Sequence, residues 1–155
     1  MLRFDVRELR QGSLPVEAVI PHDDPVFQGL ELGLQGPVLV SGELQAAGRG
    51  SYQWRGEISG AVRFPCRRCL VEVEEGFAAE VRAIFSADEG TQDEAGVYLL
   101  PEPVTVVDLT AAVRDEVGLA APTFVLCRMD CAGLCPRCGS DLNEGPCQCG
   151  DPEPR

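Results

Sequence analysis

Apolar and polar residues alternate with a period of two through the middle of the chain. From Tyr52 to Phe64 every second residue is apolar or glycine, and most of the residues between them are polar or charged. The same alternation returns from Phe77 to Phe85. Successive side chains of a strand point to opposite faces, so the pattern predicts two long, half-buried strands. They flank the motif PCRRC at 65–69, and we expect them to pair antiparallel with this motif near their connection.

Shorter apolar runs predict further strands and one helix. The strand candidates lie at 2–9, 14–20, 38–47 and 97–100. Asp108 stands as an N-cap before a stripe of apolar residues. The stripe contains Leu109, Val113 and Val117, and its spacing of four residues predicts a helix. Pro122 then ends this helix, because proline cannot continue it.

These patterns predict an α+β fold, a mostly antiparallel sheet or partial barrel with one packed helix. The acidic stretch SADEGTQDEAG at 86–96 is typical of a surface loop inside that domain, which we assign to residues 1–122. Most of the cysteines follow it, so residues 123–150 form a zinc-knuckle-like, cysteine-rich segment. The last five residues, 151–155, are expected to fray.

Composition sets limits on the partners of the chain. Hydrophobic residues make up 45% of the 155 residues, which is enough for a core, and the formal net charge is −12. All 13 basic residues are arginine. A chain this acidic is repelled on average by phosphate backbones. Contact with nucleic acid therefore requires a local arginine patch or a basic protein partner.

Localisation follows from the hydropathy pattern and the cysteines. No apolar run reaches the length of about eighteen residues that a membrane helix needs. The first residues alternate between charged and apolar types and lack the apolar region of a secretory signal. We therefore expect a cytoplasmic protein with no membrane contact. In that reducing compartment, cysteines are expected as metal-bound thiolates rather than disulfides.

The first predicted zinc site lies near the end of the chain. Cys135 and Cys138 belong to CPRCG, in which two thiolates bind one ion from a tight turn while glycine lets backbone N–H groups point at sulfur. Cys147 and Cys149 follow a turn-rich stretch and complete a tetrahedral set. In an alternative division, Cys131 replaces one of the latter pair.

The remaining cysteines predict a second zinc site. Cys66 and Cys69 form CRRC, and Cys127 and Cys131 are the pair left to join them. A redox pair is the alternative for the first two. A thioredoxin-like CxxC opens a helix after a strand, however, whereas this motif lies between two predicted strands.

Arginines accompany both groups of cysteines. Three lie in or beside CRRC and two lie in the C-terminal segment, namely Arg63, Arg67, Arg68, Arg128 and Arg137. A guanidinium group binds phosphate or carboxylate through paired hydrogen bonds, so these residues predict a partner-binding surface. In the alternative interpretation they balance the negative charge of the thiolates.

No catalytic pattern is present. His22 is the only histidine and lies in a polar turn, and the sequence contains none of the nucleophile, phosphate-binding or dinucleotide-binding motifs. Sites of four sulfurs are structural, because a catalytic zinc keeps one position open for water. We therefore expect no enzyme activity and no small-molecule substrate.

Three stretches resemble a known family. VRFPCRRCLVEVEEGFAAEVRAIF, DLTAAVRDEV and LCRMDCAGLCPRCGSDLNEGPCQC are similar to the DUF177 family, also called YceD, the large ribosomal RNA accumulation proteins. The resemblance extends over most of the chain. It implies a non-enzymatic role in the accumulation, processing or stability of large-subunit (23S) ribosomal RNA during ribosome assembly. The implied partner is pre-50S ribosomal RNA or a large-subunit ribosomal protein.

Three mechanisms stay open at this point. The protein touches precursor RNA through its arginines, or its acidic surface escorts a basic ribosomal protein until delivery. The third is a thiol redox sensor that responds to oxidation of CRRC.

Overall fold

The computed structural model describes residues 2–9, 12–88, 90 and 95–149, and a five-stranded sheet forms its centre. The strand order in this sheet is β2-β3-β4-β5-β6, and a separate two-stranded sheet pairs β1 with β7. The strands are β1 (Arg3–Asp5), β2 (Leu14–Ile20), β3 (Leu34–Gly48), β4 (Ser51–Pro65), β5 (Glu72–Ser86), β6 (Val97–Leu99) and β7 (Val106–Asp108). The helices are α1 (Val6–Leu9) and α2 (Thr110–Ala120), with a short 3-10 helix at Pro25–Phe27.

The two long predicted strands are confirmed as β4 and β5. They pair antiparallel without a register shift from Ser51 opposite Ser86 to Pro65 opposite Glu72. The CRRC motif therefore lies in their connecting loop. The rest of the sheet is antiparallel, except that β6 runs parallel to β5. Within the described ranges the sheet does not close into a barrel, because β2 and β6 are its two separate edges.

The predicted strand at 2–9 is correct only for its first half. After β1 the carboxylate of Asp5 accepts a hydrogen bond from the backbone N–H of Arg7 at 2.8 Å, and the chain turns into α1. Val6 and Leu9 are both buried. Their spacing of three residues suits one helix face, whereas in a strand they would point to opposite faces.

Helix α2 has the predicted apolar stripe. Leu109, Val113 and Val117 are fully buried, and the helix packs on the inner face of β4 and β5. It begins at Thr110 with Leu109 as N-cap, so the predicted cap Asp108 lies one residue too early. The Asp108 carboxylate nevertheless accepts a hydrogen bond from the Thr110 N–H at 2.9 Å, which occupies one of the free donors of the first turn.

The core lies between this helix and the sheet. Trp54, Ile58 and Val62 of β4 are fully buried and share one face of the strand. Gly56 lies on the same face of the strand, beside Trp54, and a Cβ atom there would overlap the Ser41 carbonyl oxygen of β3. This close approach fixes the position of β4 relative to β3. The CRRC loop follows β4 and is therefore held at a defined position.

Two predicted regions lie partly or wholly outside the described residues. Of the predicted acidic loop at 86–96, Ser86 is the last residue of β5, while 89 and 91–94 lie outside the described part. The predicted frayed tail at 151–155 also lies outside it. No helix that the structure describes is long and apolar enough to cross a membrane.

Candidate metal centres

The first cysteine cluster joins the β4–β5 loop to the C-terminal segment. Cys66 and Cys69 lie in the loop, and Cys127 and Cys131 follow helix α2. The four sulfur atoms lie within 4.8 Å of one another, so the group could hold a metal ion. Two contacts cross between the segments, from Cys66 to Cys131 at 3.9 Å and from Cys69 to Cys127 at 3.6 Å.

The second cysteine cluster lies entirely within the C-terminal segment. The sulfur atoms of Cys135, Cys138, Cys147 and Cys149 again lie within 4.8 Å of one another and could hold a metal ion. The Cys135 and Cys147 sulfurs are 3.4 Å apart. The structure thus groups Cys131 with the first cluster and leaves the last four cysteines together.

The sulfur spacing fits a tetrahedral thiolate site. Four sulfurs at about 2.3 Å from one ion are about 3.8 Å from each other, and the sulfur contacts of 3.4 to 3.9 Å scatter around that length. A disulfide would need about 2.05 Å. Four thiolates this close repel one another, because like charges oppose ionisation unless a cation lies among them. The donor set therefore suits a thiophilic cation.

Both CxxC motifs fold into the same tight turn. The Leu70 N–H donates to the Cys66 carbonyl at 2.9 Å, and the Gly139 N–H donates to the Cys135 carbonyl at 2.9 Å. Leu70 has φ of 64° and Gly139 has φ of 73°, so both adopt the left-handed conformation. This conformation is natural for glycine and strained for leucine.

Hydrogen bonds to sulfur hold the thiols of the first cluster. The Arg68 N–H points at the Cys66 sulfur at 3.5 Å. The backbone N–H of Cys69 has the largest effect on Cys66 and, despite burial, lowers the pKa of its thiol to about 6. Such donors favour the thiolate, which is the form that binds metal.

Hydrogen bonds also shift the pKa values of the thiols in the second cluster. The Cys138 sulfur and the Ser140 hydroxyl are 3.2 Å apart, and this hydrogen bond is the main reason that the pKa of Cys138 is lowered to about 6. Cys149 lies beside Cys138, and the interaction between the two thiols raises the pKa of Cys149 to about 12. One thiol is thus favoured as thiolate at the expense of its neighbour.

Asn143 is a site residue that the sequence reasoning missed. It lies in the loop of the second cluster, but its side-chain N–H₂ approaches the Cys131 sulfur of the first at 3.5 Å. Its side-chain oxygen accepts hydrogen bonds from the Ala132 N–H at 2.8 Å and from Arg128 at 2.7 Å. In the sequence, the stretch DLNEG at 141–145 indicates only a turn. No local signal indicates that this asparagine reaches another cysteine loop.

Backbone hydrogen bonds dock the C-terminal segment on the CRRC loop. The Arg67 N–H donates to the Val125 carbonyl at 3.0 Å, and the Leu134 N–H donates to the Arg68 carbonyl at 3.1 Å. The Arg68 guanidinium donates to the Cys131 carbonyl at 2.9 Å. The loop is therefore bound on both sides by the segment that supplies the other two cysteines of the first cluster.

The five predicted partner-binding arginines are exposed but differ in their contacts. Arg63 pairs with Glu74 at 3.1 Å on the hairpin, and the Arg137 guanidinium donates to the Cys149 carbonyl at 3.4 Å. Arg67, Arg68 and Arg128 lie in the loops of the first cluster. The Arg67 guanidinium carbon is 6.0 Å from the ring centroid of Phe124, which is 64% exposed.

The fold and the two clusters define a β-sheet protein with paired four-cysteine sites that could hold metal ions. Residues 54–155, which include all eight cysteines, match the family model described as large ribosomal RNA subunit accumulation protein YceD. The match covers more than half of the chain, and the chain belongs to the YceD family.

Two curated mycobacterial proteins are similar to part of this chain. An uncharacterized protein of Mycobacterium tuberculosis is 33% identical over 98 residues, which are 57% of this chain and 46% of the relative. An uncharacterized protein of Mycobacterium leprae is 32% identical over 93 residues, 55% of this chain and 42% of the relative. The match thus spans a little under half the length of these relatives.

A plant protein adds a named relative. The chloroplastic large ribosomal RNA subunit accumulation protein YCED homolog 1 of Arabidopsis thaliana is 36% identical over 53 residues, 34% of this chain and 16% of the relative. No solved structure matches the chain significantly. The family description supports a role in the accumulation of large-subunit ribosomal RNA, and it names no catalytic activity.

Proposed function

We propose that this chain is a non-enzymatic assembly factor that contacts precursor 23S ribosomal RNA of the large subunit through the surface around its first cysteine cluster. We call this the knuckle surface and define it by Arg67, Arg68, Leu70, Phe124 and Arg128. The observation that carries the proposal is the YceD match over residues 54–155, which contains this entire surface.

The proposal includes one zinc ion in each cluster. Zinc suits four thiolates in tetrahedral geometry better than magnesium or calcium, which prefer oxygen. When bound, zinc supplies folding free energy on the order of 10 kcal/mol per site rather than reactivity. The domain of residues 1–122 and the segment 123–150 are then joined by metal, because the first cluster takes two cysteines from each.

The knuckle surface combines the groups that unpaired RNA requires. Phe124 is an exposed aromatic ring on which a base can stack, and the guanidinium of Arg67 lies beside it. Base stacking on aromatic rings together with contacts to phosphate is the usual basis for binding single-stranded RNA. The net charge of −12 repels RNA elsewhere on the molecule and so confines contact to this surface.

Charge reversal at the knuckle surface tests the proposal. The probe is a transcript of precursor 23S ribosomal RNA, titrated with zinc-loaded protein at several salt concentrations. Arg67→Glu is expected to weaken binding and to lower the slope of log K against log salt by about one. The matched control is Arg82→Glu, an equal charge change at an exposed residue of β5. Equal effects of both variants would show that only total charge matters and would contradict the proposal.

Escort of a basic large-subunit ribosomal protein is the second candidate, and the net charge of −12 favours it. A tagged pull-down from growing cells, with and without RNase, separates the two. Precursor large-subunit RNA that is enriched and lost with RNase supports RNA contact. A basic ribosomal protein that stays bound after RNase supports the escort function.

The thiol redox sensor and the cytoplasmic location remain predictions. A redox sensor needs a thiol that reacts rapidly with iodoacetamide in the metal-loaded protein. Eight unreactive cysteines in that state would exclude the sensor and leave the cysteines as structural ligands.

A further inference from the structure

One long edge of the central sheet is open in the described part of the chain. Strand β6 pairs only with Ile84–Ser86, at the end of β5. Residues 72–83 of β5 therefore have β4 on one side and no described strand on the other. An unpaired strand edge presents a row of backbone donors and acceptors that can pair with another chain.

The hydrogen bonds at the end of β5 show which residues face the open edge. The Ala87 N–H donates to the Gly50 carbonyl on the β4 side, whereas the Ile84 N–H donates to the Gly96 carbonyl on the β6 side. Odd-numbered residues thus bond to β4 and even-numbered ones point away, and no register shift interrupts this alternation. The N–H and C=O groups that face the open edge are those of the even-numbered residues from Glu72 to Arg82, with Glu74, Gly76, Ala78 and Glu80 at its centre.

This edge lacks several of the features that block strand pairing. Proline and bulges protect natural edges, and β5 contains neither. Its charged side chains discourage pairing with a like-charged chain but not with an oppositely charged one. Gly76 and Ala78 are exposed and small, so their backbone groups are accessible. By contrast, the opposite edge strand β2 contains Pro15, which has no N–H to donate.

The charges beside the edge indicate which kind of chain fits it. Four exposed glutamates and one exposed arginine belong to this part of β5, namely Glu72, Glu74, Glu75, Glu80 and Arg82, so negative charge predominates. A second copy of the same edge would bring these carboxylates against their equivalents, and like charges on paired strands are destabilising. An extended segment with basic side chains would instead form opposite-charge pairs with them.

We propose that the β5 edge accepts an extended, arginine- or lysine-rich polypeptide segment as an additional antiparallel or parallel strand. The backbone groups of Glu74, Gly76, Ala78 and Glu80 supply the hydrogen bonds, as in other cases of strand addition. Basic side chains at alternate positions of the segment pair with Glu80 and, in competition with Arg63, with Glu74, which points to the same face of the sheet. This binding uses a different surface from the knuckle surface and does not depend on RNA contact.

The test uses a labelled nine-residue peptide of alternating arginine and threonine with the full-length, zinc-loaded chain. Binding is measured by fluorescence anisotropy, and amide hydrogen exchange is followed by NMR. Exchange is expected to slow at Gly76, Ala78 and Glu80 when the peptide binds. The amides of Phe77 and Ala79 should change little, because they already bond to β4.

Two controls separate strand addition from charge attraction. A peptide of the same sequence with every backbone amide N-methylated keeps every charge but loses both rows of donors, and we expect it to bind at least about tenfold more weakly in either strand direction. Ala78→Pro removes one donor from the open edge and should weaken binding similarly, whereas Ala78→Ser keeps this donor and should not. If Ala78→Pro fails to fold, the comparison of the two peptides still distinguishes strand addition from charge attraction.

Three results would overturn the inference. The first is equal affinity for the methylated and unmethylated peptides, which would indicate charge attraction alone. The second is slower exchange of the same amides at high protein concentration without peptide, which would make a second copy the occupant. The third is protection of these amides by a polyuridine oligonucleotide rather than by the peptide. None of these results bears on the Arg67→Glu experiment, which tests the RNA proposal separately.

Discussion

Asn143 connects the two cysteine clusters through one side chain. Its N–H₂ group points at the Cys131 sulfur, and its oxygen accepts from Arg128 and the Ala132 N–H. Groups that orient and polarise metal ligands typically change metal affinity by about 10–100-fold when removed. We therefore expect Asn143→Ala to lower the zinc affinity of the first cluster by a factor in that range.

Chelator competition on the purified protein measures this effect. Gln148→Ala is the matched control, because Gln148 is exposed in the same segment and, within the described residues, its side chain makes no hydrogen bond. Zinc release at the same chelator concentration in Asn143→Ala and in the control would contradict the assigned role.

Leu70 and Gly139 occupy equivalent positions in the two cysteine turns. A leucine in the left-handed conformation costs about 1–2 kcal/mol, and Leu70 is 61% exposed, so it has little packing to lose. Leu70→Gly is expected to leave stability nearly unchanged or raise it slightly. Gly139→Leu has free space around its Cβ position, so backbone strain alone should destabilise the second turn by about 1–2 kcal/mol.

Thermal melts of both variants check this pair. A Gly139→Leu protein as stable as the unchanged protein would show that the turn does not require a glycine. If Leu70→Gly keeps stability but loses RNA affinity, the strained leucine is retained for contact at the knuckle surface.

At the scale of elements, the two CxxC turns belong to different four-cysteine clusters. Replacing Cys135 and Cys138 together by serine should remove one zinc equivalent and leave the first cluster loaded. Replacing Cys66 and Cys69 should remove the other equivalent, because each cluster has its own four sulfurs. Metal content by mass spectrometry measures this. A fall from two equivalents to none in either double variant would contradict independent sites.

Two glycines of the β4–β5 hairpin differ in how closely the neighbouring strand approaches them. A Cβ at Gly56 would overlap the Ser41 carbonyl of β3, whereas a Cβ at Gly76 would have only the Gly60 carbonyl oxygen at 3.8 Å. Gly56→Ala is expected to destabilise the protein by about 1–3 kcal/mol through overpacking. Gly76→Ala should be neutral or stabilising by up to about 1 kcal/mol.

Urea unfolding compares these two alanine variants directly. Similar unfolding midpoints would show that β3 can move away from β4 at little cost. The CRRC loop would then not be held as rigidly as the close strand approach implies.

At the scale of the whole molecule, metal removal should separate the two parts of the chain. The C-terminal segment contributes Val125, Cys131 and Cys135 as buried residues, whereas the sheet domain has a large apolar core of its own. We expect a strong chelator to expose residues 123–149 to protease while the strand signal in circular dichroism persists. Return of protease resistance on adding zinc is the control, and resistance that persists without metal would contradict zinc-dependent folding.

The sequence predicted the strands of the hairpin and helix α2 because their signals are local. Period-two alternation in β4 and the four-residue stripe of α2 each reflect burial of one face within one element. It could not predict α1, since Asp5 turns the chain through a single side-chain hydrogen bond. Nor could it predict that β6 joins β5 in parallel, because that pairing depends on the path of the loop between them.

The sequence by itself determined the family, the hairpin and the tight turns that bring Cys66 near Cys69 and Cys135 near Cys138. Only the tertiary structure decided between the two possible places of Cys131, because Cys66 and Cys131 are 65 positions apart and meet only when the C-terminal segment docks on the hairpin loop. The tertiary structure likewise brings the Asn143 side chain to the Cys131 sulfur. It also leaves most of one edge of β5 without a described partner strand. Local spacing specifies turns and strands, whereas contacts between distant segments depend on the packing of the whole chain.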